Sequence, residues 1–197
     1  FLRAIFKLAN IRGALITMPH KVTTVGLLDE VLPTAAIAGS CNAVRRLPDG
    51  RLQGDMFDGE GFVRGLKRKG FDPKGRRALV VGAGGVGSAI AASLAAAGAG
   101  VISLFDTHRA SAEALAGRLA KHYPAIDVRL VSSDPAGYDL VVNGTPLGMK
   151  RGDPLPFDVS RLEPGTFVGE VVLNQEITPL LEAARARAVA AKLSLTA

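Results

Sequence analysis

Hydrophobic residues in the second half of the chain fall into short apolar runs, separated by longer stretches with helical spacing. The short runs predict strands, which we place at 78–81, 101–105, 127–131, 139–142 and 167–169. The stretches 86–97 and 109–121, which separate the first three strands, have the apolar spacing and the length of helices. Strands that alternate with helices are typical of a parallel, doubly wound α/β sheet.

The remainder of the chain shows a more mixed pattern of apolar and polar positions. The elements it predicts are a helix at 1–9, a strand at 14–17, a helix at 23–31 that stops before Pro33, a hairpin of 43–46 with 51–53, a helix at 61–69 capped by Asp58 or Gly59, and a final helix at 177–192. The hairpin rests on the turn sequence Pro48-Asp49-Gly50. The change to the regular pattern after residue 77 predicts two structural units with a cleft between them.

Glycines cluster directly after the first strand of the regular part. The spacing of Gly82, Gly84 and Gly87 between a strand and a helix is typical of a dinucleotide-binding turn. The first glycine permits a tight turn, the second lets the backbone approach a pyrophosphate, and the third lets the helix pack on the strand. Asp106 follows the next strand, where such folds bind the ribose. We therefore predict a Rossmann-type unit whose cofactor contacts include Gly82, Ala83, Gly84, Gly85, Val86, Gly87 and Asp106.

Composition and charge narrow the remaining classes of protein. The 197 residues are 48% hydrophobic and 21% charged, as in an ordinary globular protein. No apolar run reaches the roughly 18 residues of a membrane span, and with no secretory signal segment and a single cysteine we expect a cytoplasmic protein. The net charge of +6 is spread along a chain with two tyrosines and no tryptophan, which favours solvated surface charge over nucleic-acid binding. No spacing of Cys and His residues suggests a metal site.

Three other segments carry polar residues that could do chemistry. Lys21 follows a proline at the end of a predicted strand, and Asn42 and Asp58 lie in loops bracketed by glycines. Residues 143–149 follow the strand at 139–142, at the sheet edge where α/β folds place ligands. Most lysines are solvated, and Asn and Asp are common turn residues, so spacing alone leaves a structural role open for each.

Taken in order, these segments resemble the shikimate dehydrogenase family. The matching segments are Ile16-Thr-Met-Pro-His-Lys21, Gly39-Ser-Cys-Asn42, Gly54 with Asp58 and Gly61, Gly82 to Ala89, Asn143-Gly-Thr-Pro-Leu-Gly-Met149 and Thr178-Pro-Leu-Leu181. The resemblance implies an NAD(P)-dependent dehydrogenase that acts on a hydroxyl group of shikimate, quinate or a similar cyclic acid. It also implies roles for individual residues: Lys21 and Asp58 as the catalytic pair, Thr17 and Asn42 in substrate binding, and Asn143, Thr145, Pro146 and Met149 in cofactor binding.

The implied catalytic pair suits the oxidation of a secondary alcohol. A base must take the hydroxyl proton as hydride leaves for the nicotinamide. A carboxylate beside a lysine favours the charged ammonium form, so Asp58 fits an orienting and proton-sharing role. Which of the two groups is the formal base stays open at this point.

Two positions depart from the family pattern next to this aspartate. Where the family has Asn-Thr, this chain has Met56-Phe57. Phe57 changes the shape of the pocket or removes a hydrogen bond to the substrate, and a buried hydroxyl left unpaired costs about 1–3 kcal/mol. The departure keeps two alternatives open: a catalytically impaired dinucleotide-binding relative, and a related dehydrogenase for an amino-substituted shikimate.

The segment after the second regular strand bears on the choice of cofactor. NADP-using members of the family carry an Asn-Arg-Thr run there, whereas this chain has Asp106-Thr-His108. The carboxylate of Asp106 can accept hydrogen bonds from a ribose 2′-hydroxyl group and repels a 2′-phosphate. We expect NAD as the cofactor, with NADP possible through Arg109.

The predicted units are a substrate-binding and catalytic domain at 1–66, a dinucleotide-binding domain at 67–175, and a C-terminal helix at 176–197 that returns to the first domain. The resemblance implies further segments before residue 1 and after Leu181, so the substrate-binding domain is expected to be incomplete. We expect a monomer or a homodimer whose partner is a small cyclic hydroxy acid.

Overall fold

The computed structural model describes residues 1–187, which form two β-sheets and the helices that pack on them. The strands are β1 (Gly13–Leu15), β2 (Glu30–Val31), β3 (Ala43–Arg46), β4 (Leu52–Asp55), β5 (Arg77–Val81), β6 (Val101–Phe105), β7 (Asp127–Leu130), β8 (Leu140–Asn143) and β9 (Phe167–Glu170). The helices are α1 (Leu2–Ile5), α2 (Lys21–Val25), α3 (Pro33–Ala38), α4 (Asp58–Arg68), α5 (Gly85–Ala96), α6 (Arg109–His122) and α7 (Pro179–Ala186), with a 3₁₀ turn at Val159–Arg161.

The larger sheet is parallel throughout and has the strand order β7-β6-β5-β8-β9. It confirms the predicted doubly wound α/β class, and each predicted strand agrees with the observed one to within one residue at either end. The strand order reverses at β5. The carboxyl ends of β5 and β8 therefore form a topological switch point, which is where open α/β sheets bind ligands.

Both faces of β5 are buried, which explains its continuous apolar run. Ala78 and Val80 belong to a core cluster with α4, α5 and α6, whereas Leu79 and Val81 belong to a second cluster with α7. Helix α5 packs on the sheet and against α3 and α4, so apolar residues are buried nearly all round it. The alanine-rich composition of α5 is the consequence of this close packing on two sides.

The smaller sheet has the order β1-β3-β4-β2, with β2 parallel to β4 and the other pairs antiparallel. The predicted hairpin is confirmed as β3 and β4, whose register pairs Arg46 with Leu52. The turn between the strands contains Gly50 at φ +87°, a left-handed conformation that glycine adopts without strain.

The helix predicted over 23–31 was wrong. Helix α2 ends at Val25, and Glu30–Val31 instead forms β2, which pairs with Gln53 and Gly54 of β4. Pro33 is the first residue of α3 rather than the point where a helix stops, in agreement with the preference of proline for that position. The apolar spacing in this segment arises from packing on a sheet, and this tertiary pairing overrides local helical propensity.

Three further boundaries differ from those predicted. Helix α1 covers Leu2–Ile5 instead of residues 1–9, and β1 ends at Leu15 instead of residue 17. Asp58 does not cap α4 but is its first residue, because its carboxylate is held by side chains from other elements.

The C-terminal segment is only partly described. The observed helix α7 agrees with the middle of the predicted helix at 177–192, and residues 188–192 lie outside the described residues. Leu180, Leu181 and Ala184 of α7 pack on the parallel sheet, and the predicted return of the C-terminal helix to the first domain stays a prediction. The hydrophobic face of α7 fits beside β5 and β9, which accounts for this position. The domain limits themselves stay a prediction.

No helix within residues 1–187 is long and apolar enough to cross a membrane.

Candidate active site

Lys21 and Asp58, which are 37 residues apart in sequence, form a partly buried ion pair in the structure. Lys21 Nζ donates a hydrogen bond to Asp58 Oδ2 at 2.5 Å, and the two side chains are 15% and 24% exposed. Lys21 begins α2 and Asp58 begins α4, so each side chain projects from the first residue of a helix. The pair is therefore fixed at both ends while remaining open to a small molecule.

Asn42 completes this group by orienting the carboxylate. Its Nδ2 donates to Asp58 Oδ1 at 2.5 Å, and its Oδ1 accepts a hydrogen bond from the backbone N–H of Phe57 at 3.0 Å. The backbone N–H of the preceding residue, Cys41, donates to the Lys21 carbonyl oxygen at 2.8 Å. The structure thus brings the predicted Lys21, Asn42 and Asp58 together in one cluster.

Thr17 occupies a different place from the other predicted substrate-binding residues. It is exposed and lies at the rim of the cleft that contains Lys21, on the side of α1. It does not line the smaller cleft around Asn42 and Asp58. A contact with substrate from Thr17 is consequently a contact at the entrance.

The glycine-rich turn has the geometry that a pyrophosphate requires. Gly82 has φ +102°, and a Cβ atom there would lie 2.8 Å from the carbonyl carbon of Gly144. A Cβ on Gly87 would lie 1.8 Å from the Gly82 carbonyl oxygen, whereas a Cβ on Gly84 would meet nothing within 4 Å. Gly84 also precedes α5 without a side-chain cap, so open space faces the positive end of a helix. These residues fit a dinucleotide.

Asp106 lies at the carboxyl end of β6, beside this turn. Its Oδ2 accepts from the backbone N–H of Ala83 and its Oδ1 from that of His108, both at 2.7 Å. The carboxylate therefore holds the glycine turn as well as facing the cleft next to it. Arg109, the alternative contact for a 2′-phosphate, is directed along α6, where its Nε donates to Glu113 at 2.7 Å.

Asn143, which was predicted to bind the cofactor, is fully buried at the end of β8, and its polar side-chain atoms make hydrogen bonds within the protein. Its Nδ2 donates to the Leu147 carbonyl oxygen at 3.1 Å and to Glu170 Oε1 at 3.0 Å, and its Oδ1 accepts from the N–H and the hydroxyl group of Thr145. Asn143 thus holds the loop in shape, and its predicted contact with the cofactor stays a prediction. Pro146 and Met149 are exposed on the cleft side of the same loop.

Three clefts join into one trough across the two sheets. A central cleft of about 380 Å³ lies between Lys21 and the glycine turn. It shares Gly84, Thr145 and Pro146 with a cleft of about 350 Å³ that extends to Asp106. At the other end it shares Lys21, Val86, Val171 and Leu173 with a cleft of about 250 Å³ that contains Asn42 and Asp58. The trough therefore runs from Asp106 past the glycine turn and Lys21 to Asp58.

Contacts between the two sheets hold the ends of the trough in register. The hydroxyl group of Ser40 donates to the carbonyl oxygen of Gly85 at 2.9 Å, and Ser40 is fully buried. A Cβ on Gly85 would lie 3.2 Å from the Cβ of Lys21, so the glycine turn nearly touches the stem of the lysine. Ser40 was not among the predicted site residues, although its position in the Gly39–Asn42 segment was a usable signal.

Two more residues in or near the trough were missed or only partly predicted. The Phe57 side chain is 50% exposed and lines the cleft around Asp58, and its effect on the shape of the pocket stays a prediction. Glu170 is buried at the end of β9, and burial raises the pKa of its carboxyl group, an effect that hydrogen bonds from Val172, Thr178 and Asn143 partly oppose. An acidic residue that ends an apolar strand was its only sequence signal.

Within the described residues, no group of three or more His, Cys, Asp or Glu side chains is placed to hold a metal ion.

The parallel sheet has a glycine-rich turn at its switch point, and a trough joins this turn to the Lys21–Asp58 pair. These features define an α/β protein of the class to which dinucleotide-dependent dehydrogenases belong. Comparison with known proteins narrows the class. The family described as "Shikimate dehydrogenase substrate binding domain" matches residues 1–44.

Relatives of this chain cover most of its length. It is 39% identical over 184 residues to the shikimate dehydrogenase (NADP(+)) of Rubrobacter xylanophilus, covering 91% of this chain and 65% of the relative. It is 42% identical over 181 residues to the quinate/shikimate dehydrogenase (NAD(+)) of Corynebacterium efficiens, covering 88% and 63%. The solved quinate dehydrogenase from Corynebacterium glutamicum in complex with NAD is similar at 34% identity and a TM-score of 0.83, covering 96% of this chain and 70% of that one.

The chain belongs to the shikimate dehydrogenase family. It spans somewhat less than two thirds of the length of the two curated relatives described above.

Proposed function

We propose that this protein is an oxidoreductase that transfers hydride between a nicotinamide dinucleotide and a hydroxyl group of a shikimate- or quinate-like cyclic acid. The observation that carries the proposal is the Lys21–Asp58 pair, which lies where the cofactor end and the substrate end of the trough meet. The family membership, and the relatives that act on shikimate or quinate, support the same activity.

The cluster of Lys21, Asn42 and Asp58 handles the proton in this proposal. When bound, the dinucleotide supplies the hydride acceptor. Lys21 lines the trough and can pass a proton from its ammonium group to Asp58 Oδ2 along the 2.5 Å contact. The resulting amine can then accept the proton of the substrate hydroxyl group as hydride leaves for the dinucleotide. Asn42 keeps the carboxylate aligned during this exchange. Val86, Val171 and Leu173 form an apolar wall beside the reacting groups.

NAD is the proposed cofactor, with Asp106 as the residue that selects it. The carboxylate lies at the end of the trough and would repel a 2′-phosphate. Arg109, which makes an ion pair with Glu113, is not directed toward that end. Turnover with NADP comparable to that with NAD would contradict this assignment.

A steady-state assay with shikimate and with quinate, each with NAD and NADP, tests the proposal. We expect NADH formation with at least one of the two acids. Folded protein that produces neither NADH nor NADPH from either acid would contradict the substrate class.

A second candidate is a dehydrogenase of the same type for a different cyclic acid, such as an amino-substituted shikimate. The exposed Phe57 ring beside Asp58 favours it, because the ring offers no hydrogen bond to a substrate hydroxyl group. The same assay with amino-substituted acids separates the two candidates. A cytoplasmic location and a monomeric or homodimeric state remain part of the proposal, and the lone cysteine suits a reducing compartment.

A further inference from the structure

Glu170 occupies a position that the proposed chemistry does not use. It is the last residue of β9, is 1% exposed, and lies opposite Asn143 in the parallel register of β8 and β9. Neighbouring residues in a parallel register project to the same side, so the carboxylate and the amide meet at the switch point of the sheet. Burying an ionisable group in the core costs folding free energy. The contacts of Glu170 indicate what the residue does at this position.

The Glu170 carboxylate accepts hydrogen bonds from three separate parts of the chain. Its Oε1 accepts from Asn143 Nδ2 at 3.0 Å and from the backbone N–H groups of Val171 and Val172 at 2.8 and 3.1 Å. Its Oε2 accepts from the hydroxyl group of Thr178 at 2.9 Å. The carboxylate thus ties the loop after β8 to the segment after β9 and to the start of α7.

These contacts continue through side chains in both directions. Thr178 Oγ1 accepts from the backbone N–H of Leu181 at 3.3 Å and so caps α7. On the other side, Asn143 Oδ1 accepts from the hydroxyl group of Thr145 at 2.7 Å, and Thr145 Oγ1 accepts from the N–H of Leu147 at 3.1 Å. The chain of contacts ends in the loop at 144–149, which lines both the central cleft and the cleft next to Asp106.

We propose that Glu170 is a positioning residue that holds the 144–149 loop in the shape needed to bind the dinucleotide. The inference rests on the proposed function, since it assigns the cofactor to this trough. Glu170 does not line either cleft; it reaches the loop through Asn143 and the start of α7 through Thr178. Burial raises the pKa of this carboxyl group, and the hydrogen bonds that it accepts partly oppose the rise.

The substitution Glu170→Gln keeps the volume of the side chain and replaces one acceptor oxygen with a donor nitrogen. Whichever way the amide is turned, either Thr178 or the donors on Oε1 lose an acceptor. We expect the Kd for NAD, measured by titration calorimetry on the 197-residue chain, to rise about tenfold. In steady state the KM for NAD should rise similarly, while kcat and the KM for the cyclic acid change less than about twofold.

A general loss of stability would instead reduce kcat with both KM values unchanged, and that result would overturn the inference. The matched control is Glu163→Gln, which removes an exposed acid from the loop before β9 and should leave the Kd unaltered. If Glu170→Gln does not fold, Thr178→Val takes its place, because it removes one contact of the carboxylate. Thr178→Val should raise the Kd for NAD by less than the increase expected for Glu170→Gln. Thr178→Ser, which keeps the hydroxyl group, should restore the wild-type Kd.

An unchanged Kd in Glu170→Gln, or in Thr178→Val where that variant replaces it, overturns the positioning role alone. A wild-type chain that binds neither NAD nor NADP overturns the proposed function, and this inference with it. The two failures are distinguished by the wild-type titration.

Discussion

At the scale of single residues, the site combines a group that the sequence could identify with others that it could not. Lys21, Asn42 and Asp58 were named through the order of family motifs, and in the structure Lys21 and Asn42 both donate hydrogen bonds to Asp58. Spacing alone left each of them open to a structural role. Glu170 was missed, because its partner Asn143 lies 27 residues away and meets it only through the register of two strands.

Phe57 is expected to set the selectivity for the substrate. Replacing the exposed Phe57 ring by threonine places a hydroxyl group beside Asp58. Phe57→Thr should therefore raise kcat/KM for shikimate or quinate about tenfold relative to kcat/KM for other cyclic acids. Steady-state kinetics with shikimate, quinate and the other acids measures this change. Leu130→Thr changes an exposed apolar residue on β7, away from the trough, and serves as the control. An equal effect of both substitutions would contradict the assignment.

The raised pKa of Glu170 predicts a pH dependence of stability. Below the unfolded-state pKa of about 4.3, the carboxyl group is protonated in both the folded and the unfolded chain. As the pH rises above this value, the unfolded chain loses the proton first, so the free energy of unfolding falls until the folded carboxyl group also ionises.

The prediction is checked by measuring the free energy of unfolding of wild type and Glu170→Gln with denaturant, at pH values from below about 4.3 upward. The wild type should lose stability relative to the variant as the pH rises. A difference in stability that is constant with pH, or one that moves in the other direction, would contradict it.

At the scale of elements, sequence prediction succeeded where the pattern was long and both faces of a strand were buried. The strands and helices from β5 to β9 were placed closely, because their apolar runs are separated by clear turn residues. It failed at 23–31, where β2 has two residues and exists only because it pairs with β4. A segment this short has too few periods to distinguish a helix from a strand edge.

The glycine turn before α5 allows folding and binding to be separated with two matched substitutions. Gly87→Ala places a methyl group against the Gly82 carbonyl oxygen, so it should destabilise the protein by about 1–3 kcal/mol. Gly84→Ala meets no atom and has an ordinary φ of −73°, so it should leave stability nearly unchanged. Its methyl group occupies the space where a pyrophosphate would approach, and the Kd for NAD should rise at least about tenfold.

Thermal denaturation and titration calorimetry measure the two effects. Destabilisation by Gly84→Ala equal to that by Gly87→Ala would contradict the account of the turn. Unaltered NAD binding in Gly84→Ala would show that the dinucleotide does not approach there.

At the scale of the whole molecule, two sheets are joined so that one trough passes both the glycine turn and the Lys–Asp pair. Two residues make hydrogen bonds between these parts of the structure. Ser40 donates to the carbonyl oxygen of Gly85 in the glycine turn, and Arg118 of α6 donates to the carbonyl oxygens of Ile37 and Ala38 at the end of α3. The positive charge of an arginine at a helix C-terminus also interacts favourably with the helix dipole. Sequence could predict two units and a cleft, but not these contacts, which depend on how the sheets pack.

The central claim is that the two ends of the trough have separate tasks, binding the dinucleotide at one end and moving the proton at the other. Lys21→Ala tests it most directly, with Lys67→Ala on the exposed side of α4 as the control. The account predicts that turnover with NAD and the preferred acid falls by about 10²–10⁴-fold. The Kd for NAD should stay within about twofold of the wild-type value. A Lys21→Ala variant that retains wild-type turnover would contradict the account.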